Sequence, residues 1–155
     1  MALHPLFFEQ YAGICNEISR VWAELGFKTR IFNRTMAEYL DAMTHGATDV
    51  LIGRWGADYP DADTFIYNVH SKGGAYGRFT ASPELDRLAE RGRAESAPAV
   101  RHSLYREAEE ILVRDALLIP LFHEQAYRFA RPEVEGLTVS FATPTVAYEN
   151  LRVRG

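Results

Sequence analysis

From Phe8 to Leu25 the apolar residues Tyr11, Ile14, Ile18, Val21, Trp22 and Leu25 recur at helical spacing, which predicts a helix with one buried stripe. Gly26 stands where that helix would stop, because a residue without Cβ closes a last turn at little cost. Phe27, Thr29 and Ile31 then alternate with Lys28 and Arg30, so Phe27 to Phe32 reads as a strand with one face in the core. Thr35 and Glu38 have the spacing of a capping box, Met36, Tyr39, Leu40 and Met43 form the next apolar stripe, and Gly46 ends it. Asp49 to Trp55 contains the unbroken run Val50, Leu51, Ile52, the pattern of a strand covered on both faces. Two strands separated by one helix predict a parallel pair joined by a right-handed crossover.

The second half is richer in helix. Lys72 to Gly77, KGGAYG, reads as a flexible loop. Ser82, Pro83 and Glu84 supply a cap, a first-turn proline and a favourable first-turn acid for a helix running to Arg93. Ser96 and Pro98 open another, with Val100, Leu104, Ala108, Ile111 and Leu112 facing inward and Arg101, Arg106, Glu107, Glu109, Glu110 and Arg114 facing water. Leu117 to Phe122 and Ala126 to Ala130 read as strands, the first an edge because Pro120 removes a backbone donor. Gly136 with Leu137 and Val139 suggests a last short strand. No repeat or linker interrupts the chain, so residues 1–155 are expected to form a single α/β domain.

Composition narrows what such a domain does. The 155 residues are 47% hydrophobic and 25% charged, enough for one buried core. The net charge of -4 gives no basic surplus to neutralise a phosphate backbone, so nucleic acid is not an expected partner. Cys15 is the only cysteine; it permits no intramolecular disulfide and lies on an apolar stripe as a packed thiol. The opening MALHPLFF has neither the cationic start nor the continuous apolar run of a secretory signal, and no stretch approaches transmembrane length.

The chemistry concentrates in Gly53 to Phe65, GRWGADYPDADTF. A strand end and its following loop emerge at one rim of a sheet, where open α/β folds place ligands. Trp55 offers a broad ring, Gly53 and Gly56 allow close backbone approach, and Asp58, Asp61 and Asp63 precede a short helical run from Thr64 to His70. That combination suits a cation such as an ammonium group, held by a carboxylate against an aromatic face. Asp61 and Asp63 are better read as caps of the next helix, whereas Asp58 stands just beyond the strand, away from the cap.

Catalytic and metal chemistry find weaker support. Asp58, Asp61, Asp63 and His70 lack the spacing of a calcium loop, because neither Asp58 nor Asp61 begins D-x-[DN]-x-[DN]-G. The serines sit in no nucleophile turn, and His4, His45, His70, His102 and His123 are dispersed. No cofactor, metal or enzymatic activity is expected.

GRWGADYPDADTF resembles the W-x-A-D-Y-x-D/E-P-x-x-F segment of the periplasmic oligopeptide- and dipeptide-binding proteins of ABC transporters, the bacterial extracellular solute-binding family 5. Ile14 to Ile31, the SPELDRL of Ser82 to Leu88, Leu104 to Leu121 and Val134 to Leu137 resemble further segments of that family, in the same order. The resemblance implies a fold: part of a type II periplasmic-binding-protein-like C-terminal lobe, a mixed sheet flanked by helices, with the N-terminal lobe absent.

It also implies non-catalytic binding of a peptide or similar cationic solute, an ABC permease as partner in the full-length context, and a periplasmic setting; if these residues are the full native product, the missing signal peptide implies a cytoplasmic one. By the same resemblance Asp58 binds the ligand's α-ammonium group, and Trp55 and Tyr59 line the pocket. Ala62 departs from the proline frequent in this turn. The alternative is a sensing or oligomerisation module with no transport role, dimerising through the exposed cleft face around Trp55.

Overall fold

In the computed structural model, which describes residues 1–32, 34–140 and 142–154, the organising strand pair is parallel and involves the first residues of the chain. Ala2–Leu3 (β1) pairs with Leu51–Ile52 (β2), Ala2 opposite Leu51 and Leu3 opposite Ile52. This corrects the expected pairing of Phe27–Phe32 with Asp49–Trp55. Among the described residues Phe27 to Phe32 contains no strand; the terminal ammonium of Met1 donates to the Arg30 carbonyl at 2.7 Å, and Phe27 is exposed. The reason is burial. Ala2 and Leu3 are almost wholly enclosed and their neighbours supply the apolar partners that Leu51 and Ile52 need.

The predicted first helix divides at Tyr11 into Leu6–Glu9 (α1) and Ala12–Glu24 (α2). Gly26 follows with φ of 89°, the left-handed stop expected of it. Met36–His45 (α3) has its capping box intact: the Thr35 hydroxyl accepts from the Glu38 N–H, and the Glu38 carboxylate accepts from the Thr35 N–H at 2.9 Å. Cys15, Phe7, Leu3 and Ile52 share one apolar cluster, while Ala2, Tyr39, Ala42 and Leu51 share another. β2 is thus covered on both faces, as its continuous apolar run predicts.

A second core lies further along. Asp63–Phe65 (α4) continues into one wider turn, Ile66–His70, and Gly77–Thr80 (α5) leads to Pro83–Ala94 (α6) and Pro98–Arg114 (α7). Ser82 caps α6 by accepting from the Leu85 N–H. Leu85, Leu88, Leu104, Ala108, Ile111 and Leu112 pack with Ile66. Val100 is exposed, against expectation, and Tyr105 takes the inward position. The cause is register: α7 turns the stripe of Leu104, Ala108 and Ile111 towards α6, and Tyr105 lies against Gly92, where a side chain would collide with its ring.

Residues 119–130 form no regular element, so the strands expected at Leu117–Phe122 and Ala126–Ala130 are absent among the described residues. Their period-two pattern is genuine, but no neighbouring strand is present to pair with it. The short strand expected near Gly136 lies one step earlier, as Val134–Glu135 (β3), antiparallel to Arg152–Val153 (β4). Gly136 directly follows β3 with φ of 80° and lies against the Asn150 carbonyl, where a Cβ would collide. Among the described residues the strands thus form two separate two-stranded sheets, one parallel and one antiparallel, and helices pack against the first.

Candidate ligand-binding site

The rim beyond β2 is built from alternation. Ala57 is buried and bridged to Ala142, with the Thr143 N–H donating to its carbonyl at 3.0 Å. The next residue, Asp58, therefore emerges into solvent, its own N–H held by the hydroxyl of fully buried Thr64 at 3.2 Å. His4, Arg54, Trp55, Gly56 and Asp58 line an open cleft of about 290 Å³. The backbone entering this cleft is pinned by a tyrosine pair. The hydroxyls of Tyr39 and Tyr76 lie 3.1 Å apart, and Tyr76 donates to the Arg54 carbonyl at 3.1 Å. Gly53 is required beneath them, since a Cβ there would fall inside contact with both hydroxyls. Gly56 faces open space, so close approach explains the first glycine only.

Trp55 is half-buried with its ring edge-on to Tyr76, centroids 6.0 Å apart at 74°. Its indole N–H is enclosed and has no hydrogen-bond partner among the described residues. The ring is therefore a wall of the cleft and not the exposed apolar patch anticipated around it. Tyr59 faces away: its hydroxyl donates to Asp63 at 2.5 Å and accepts from the Asn68 amide at 3.0 Å, and it does not line the cleft.

The three aspartates separate cleanly. Asp61 accepts from the N–H of Asp63 at 2.8 Å and is bound by the guanidinium of Arg101, which holds its carboxyl below the ordinary carboxylate value. Asp63 is buried, hydrogen-bonded by Tyr59 and by Tyr105 at 3.2 Å, with Arg93 at 3.9 Å. Both shape the turn. The carboxylate of Asp58 has no hydrogen bond or ion pair among the described residues.

Two further residues of the cleft carry charge or can acquire it, and the reading of the sequence did not single them out. Arg54 is neutralised by Glu124 at 2.6 Å, whose other oxygen accepts from the Tyr11 hydroxyl at 2.8 Å. His4 accepts the Leu6 N–H on Nδ1 at 3.3 Å, and burial, helped by Arg54, lowers its pKa. At neutral pH the cleft therefore presents one uncompensated charge, the negative one of Asp58. His4 lies 54 positions before Asp58 with no motif linking them; only the return of the chain end to β2 could reveal it.

No family model matches the chain. It is 32% identical over 122 residues to a Pseudomonas aeruginosa protein named "Probable di/tripeptide-binding protein 5", across 76% of this chain and 23% of that protein. The chain is a relative of the periplasmic oligopeptide- and dipeptide-binding proteins. Among these, the periplasmic murein peptide-binding protein MppA of Escherichia coli is 26% identical over 85% of the chain. The periplasmic oligopeptide-binding protein OppA of Salmonella typhimurium is 25% identical over 88% of it. The chain spans about a quarter of the length of the peptide-binding proteins it matches. The solved structure of the MppA murein tripeptide-binding protein in its unliganded open form superposes with a TM-score of 0.74 over 98% of this chain and 30% of that one, at 20% identity. The fold is accordingly part of a periplasmic-binding-protein lobe.

Proposed function

We propose that this chain forms the part of a C-terminal peptide-binding lobe that captures the α-ammonium end of a peptide without chemical change, through Asp58 with Trp55 beside it. The observation that carries this is the division of labour among the three acids. Asp61 and Asp63 are committed to internal partners, while Asp58 lies unpaired on the cleft next to an aromatic wall. With Arg54 paired to Glu124, a cation entering there meets a carboxylate and no competing free cation. The names of the relatives support a peptide as the ligand, and the periplasmic naming of two of them supports a role outside the cytoplasm, which we take to be that of a receptor for an ABC importer. Tyr59 supports the site indirectly, by holding Asp63.

A single open cleft leaves a ligand partly solvated, so affinity for the chain alone is weak, on the order of millimolar. Chemical-shift titration with Ala-Ala and with its N-acetylated form tests the assignment. Asp58→Asn and N-acetylation are each expected to weaken binding by about 1–3 kcal/mol, and to be non-additive because they remove the same interaction. Equal binding of the two peptides by the unsubstituted chain would sink it.

A further inference from the structure

Of the described residues that line the cleft, Arg54 alone is permanently cationic, and it stands next to Trp55 and four positions before Asp58. A guanidinium left free there would bind a carboxylate strongly, because its planar fork matches the two oxygens. Arg54 is already taken. One oxygen of Glu124 meets it at 2.6 Å, and the other accepts from the Tyr11 hydroxyl at 2.8 Å. That hydrogen bond raises the Tyr11 pKa, so the hydroxyl stays protonated and keeps donating. Tyr11 is itself seated, its ring 5.4 Å from that of Phe7 in the first core and 5.0 Å from that of Phe122. Glu124 is thus a carboxylate fixed at the rim of the cleft by the residue that precedes α2.

We infer that Glu124 is a specificity-determining residue: by occupying Arg54 it reserves the cleft for the ammonium end of a peptide and turns a ligand carboxylate away. It thereby fixes which end of the peptide lies there, a selection that rests on Asp58 as the ammonium anchor. With Glu124 in place the cleft offers one carboxylate to a cation. Without its charge the cleft would offer Arg54 to the carboxylate end as well, and Arg54 would repel an ammonium approaching Asp58. The side chains of Arg54 and Glu124 are 43% and 38% exposed, so water and salt screen the effect to a preference of severalfold.

Chemical-shift titration with two probes tests this: Ala-Ala amide, a cation, and N-acetyl-Ala-Ala, an anion. The proteins are the unsubstituted chain, Glu124→Gln, and Glu124→Gln combined with Arg54→Gln. Glutamine keeps the shape and can still accept from Tyr11, so the charge is removed without the packing. The unsubstituted chain is expected to prefer the cation, Glu124→Gln to narrow that preference about two- to fivefold, and the double substitution to return it. His4 gives a readout without ligand, since it lines the same cleft and its pKa is lowered by burial and then by Arg54. Its NMR titration should move further down in Glu124→Gln and back up when Arg54→Gln is added. If no chain binds either probe while His4 shifts in this way, the reading of Asp58 fails and Glu124 remains the residue that sets the charge of the cleft. An unmoved His4, or an unchanged preference, in Glu124→Gln overturns the inference. A double substitution that stays at the value of Glu124→Gln also overturns it, by making Glu124 a structural residue.

Discussion

Arg101 reaches across 40 positions of sequence to bind the carboxylate of Asp61, and the same guanidinium donates to the Gly92 carbonyl at 2.9 Å and to the Tyr105 hydroxyl at 3.1 Å. This one cation ties the acidic turn to the end of α6 and the start of α7. The turn is thereby fixed from behind, and Asp58 is presented from a stiff support.

Asp61→Asn should lower stability by about 0.5–1.5 kcal/mol, the range for a half-exposed charged hydrogen bond after solvent screening. Arg101 holds the folded-state pKa of Asp61 below its unfolded value near ~3.9. Its contribution is therefore full above that unfolded value and is lost as pH falls through the lower folded one. Urea denaturation at pH 7 and pH 3 measures both, and an unchanged midpoint at pH 7 would contradict the anchor.

Asp58→Asn should leave the urea midpoint unchanged within about 0.5 kcal/mol, because its carboxylate supports nothing inside the fold. Paired with the peptide titration, this separates a ligand group from a structural one. A loss comparable to that of Asp61→Asn would assign Asp58 to the scaffold.

His70 is buried beside Thr80 and Tyr76, and burial pushes its pKa down to about 4. Between the unfolded value near ~6.5 and about 4 the unfolded chain takes up a proton that the folded chain refuses. Stability is complete above that window and falls as pH drops through it. Melting curves at pH 7 and pH 5 should show a smaller pH difference in His70→Phe than in the unsubstituted chain. Identical differences would show that His70 does not carry the slope.

Gly53→Ala should cost about 1–3 kcal/mol, since the added methyl must displace the Tyr39 and Tyr76 hydroxyls. Gly56→Ala, with open space around it, should stay within about 0.5 kcal/mol. Chemical denaturation of the two variants side by side checks the contrast, and equal losses would remove the tyrosine clamp as the reason for Gly53.

Local signals survive folding wherever the cause is local. The Thr35–Glu38 box, the Ser82 cap and the left-handed Gly26 and Gly46 all do the work their spacing implies. Pairing was not legible in the same way, because partner choice is a tertiary matter. Nothing in Phe27–Phe32 announces that Ala2–Leu3 will take its place beside β2, since both segments are apolar enough to do so. In the site, the turn-shaping role of Asp61 could be read from its position, although α4 starts from Ala62 without a side-chain cap and Asp61 instead accepts the Asp63 N–H two residues on. The burial of Asp63 beneath Tyr105 depends on α7, far along the chain, and the turn of Tyr59 away from the cleft follows its bonds to Asp63 and Asn68.

The unpartnered indole N–H of Trp55 gives the cleft an optical consequence. An enclosed indole without a hydrogen bond emits at shorter wavelength than a solvated one, and its ring stands beside Asp58. A ligand carbonyl or a water drawn in by an arriving ammonium would shift that emission, against the constant background of Trp22, which α2 packs onto the cluster of Leu3, Phe7 and Ile52. The wall of the cleft is also its reporter, and occupancy can be followed without a label.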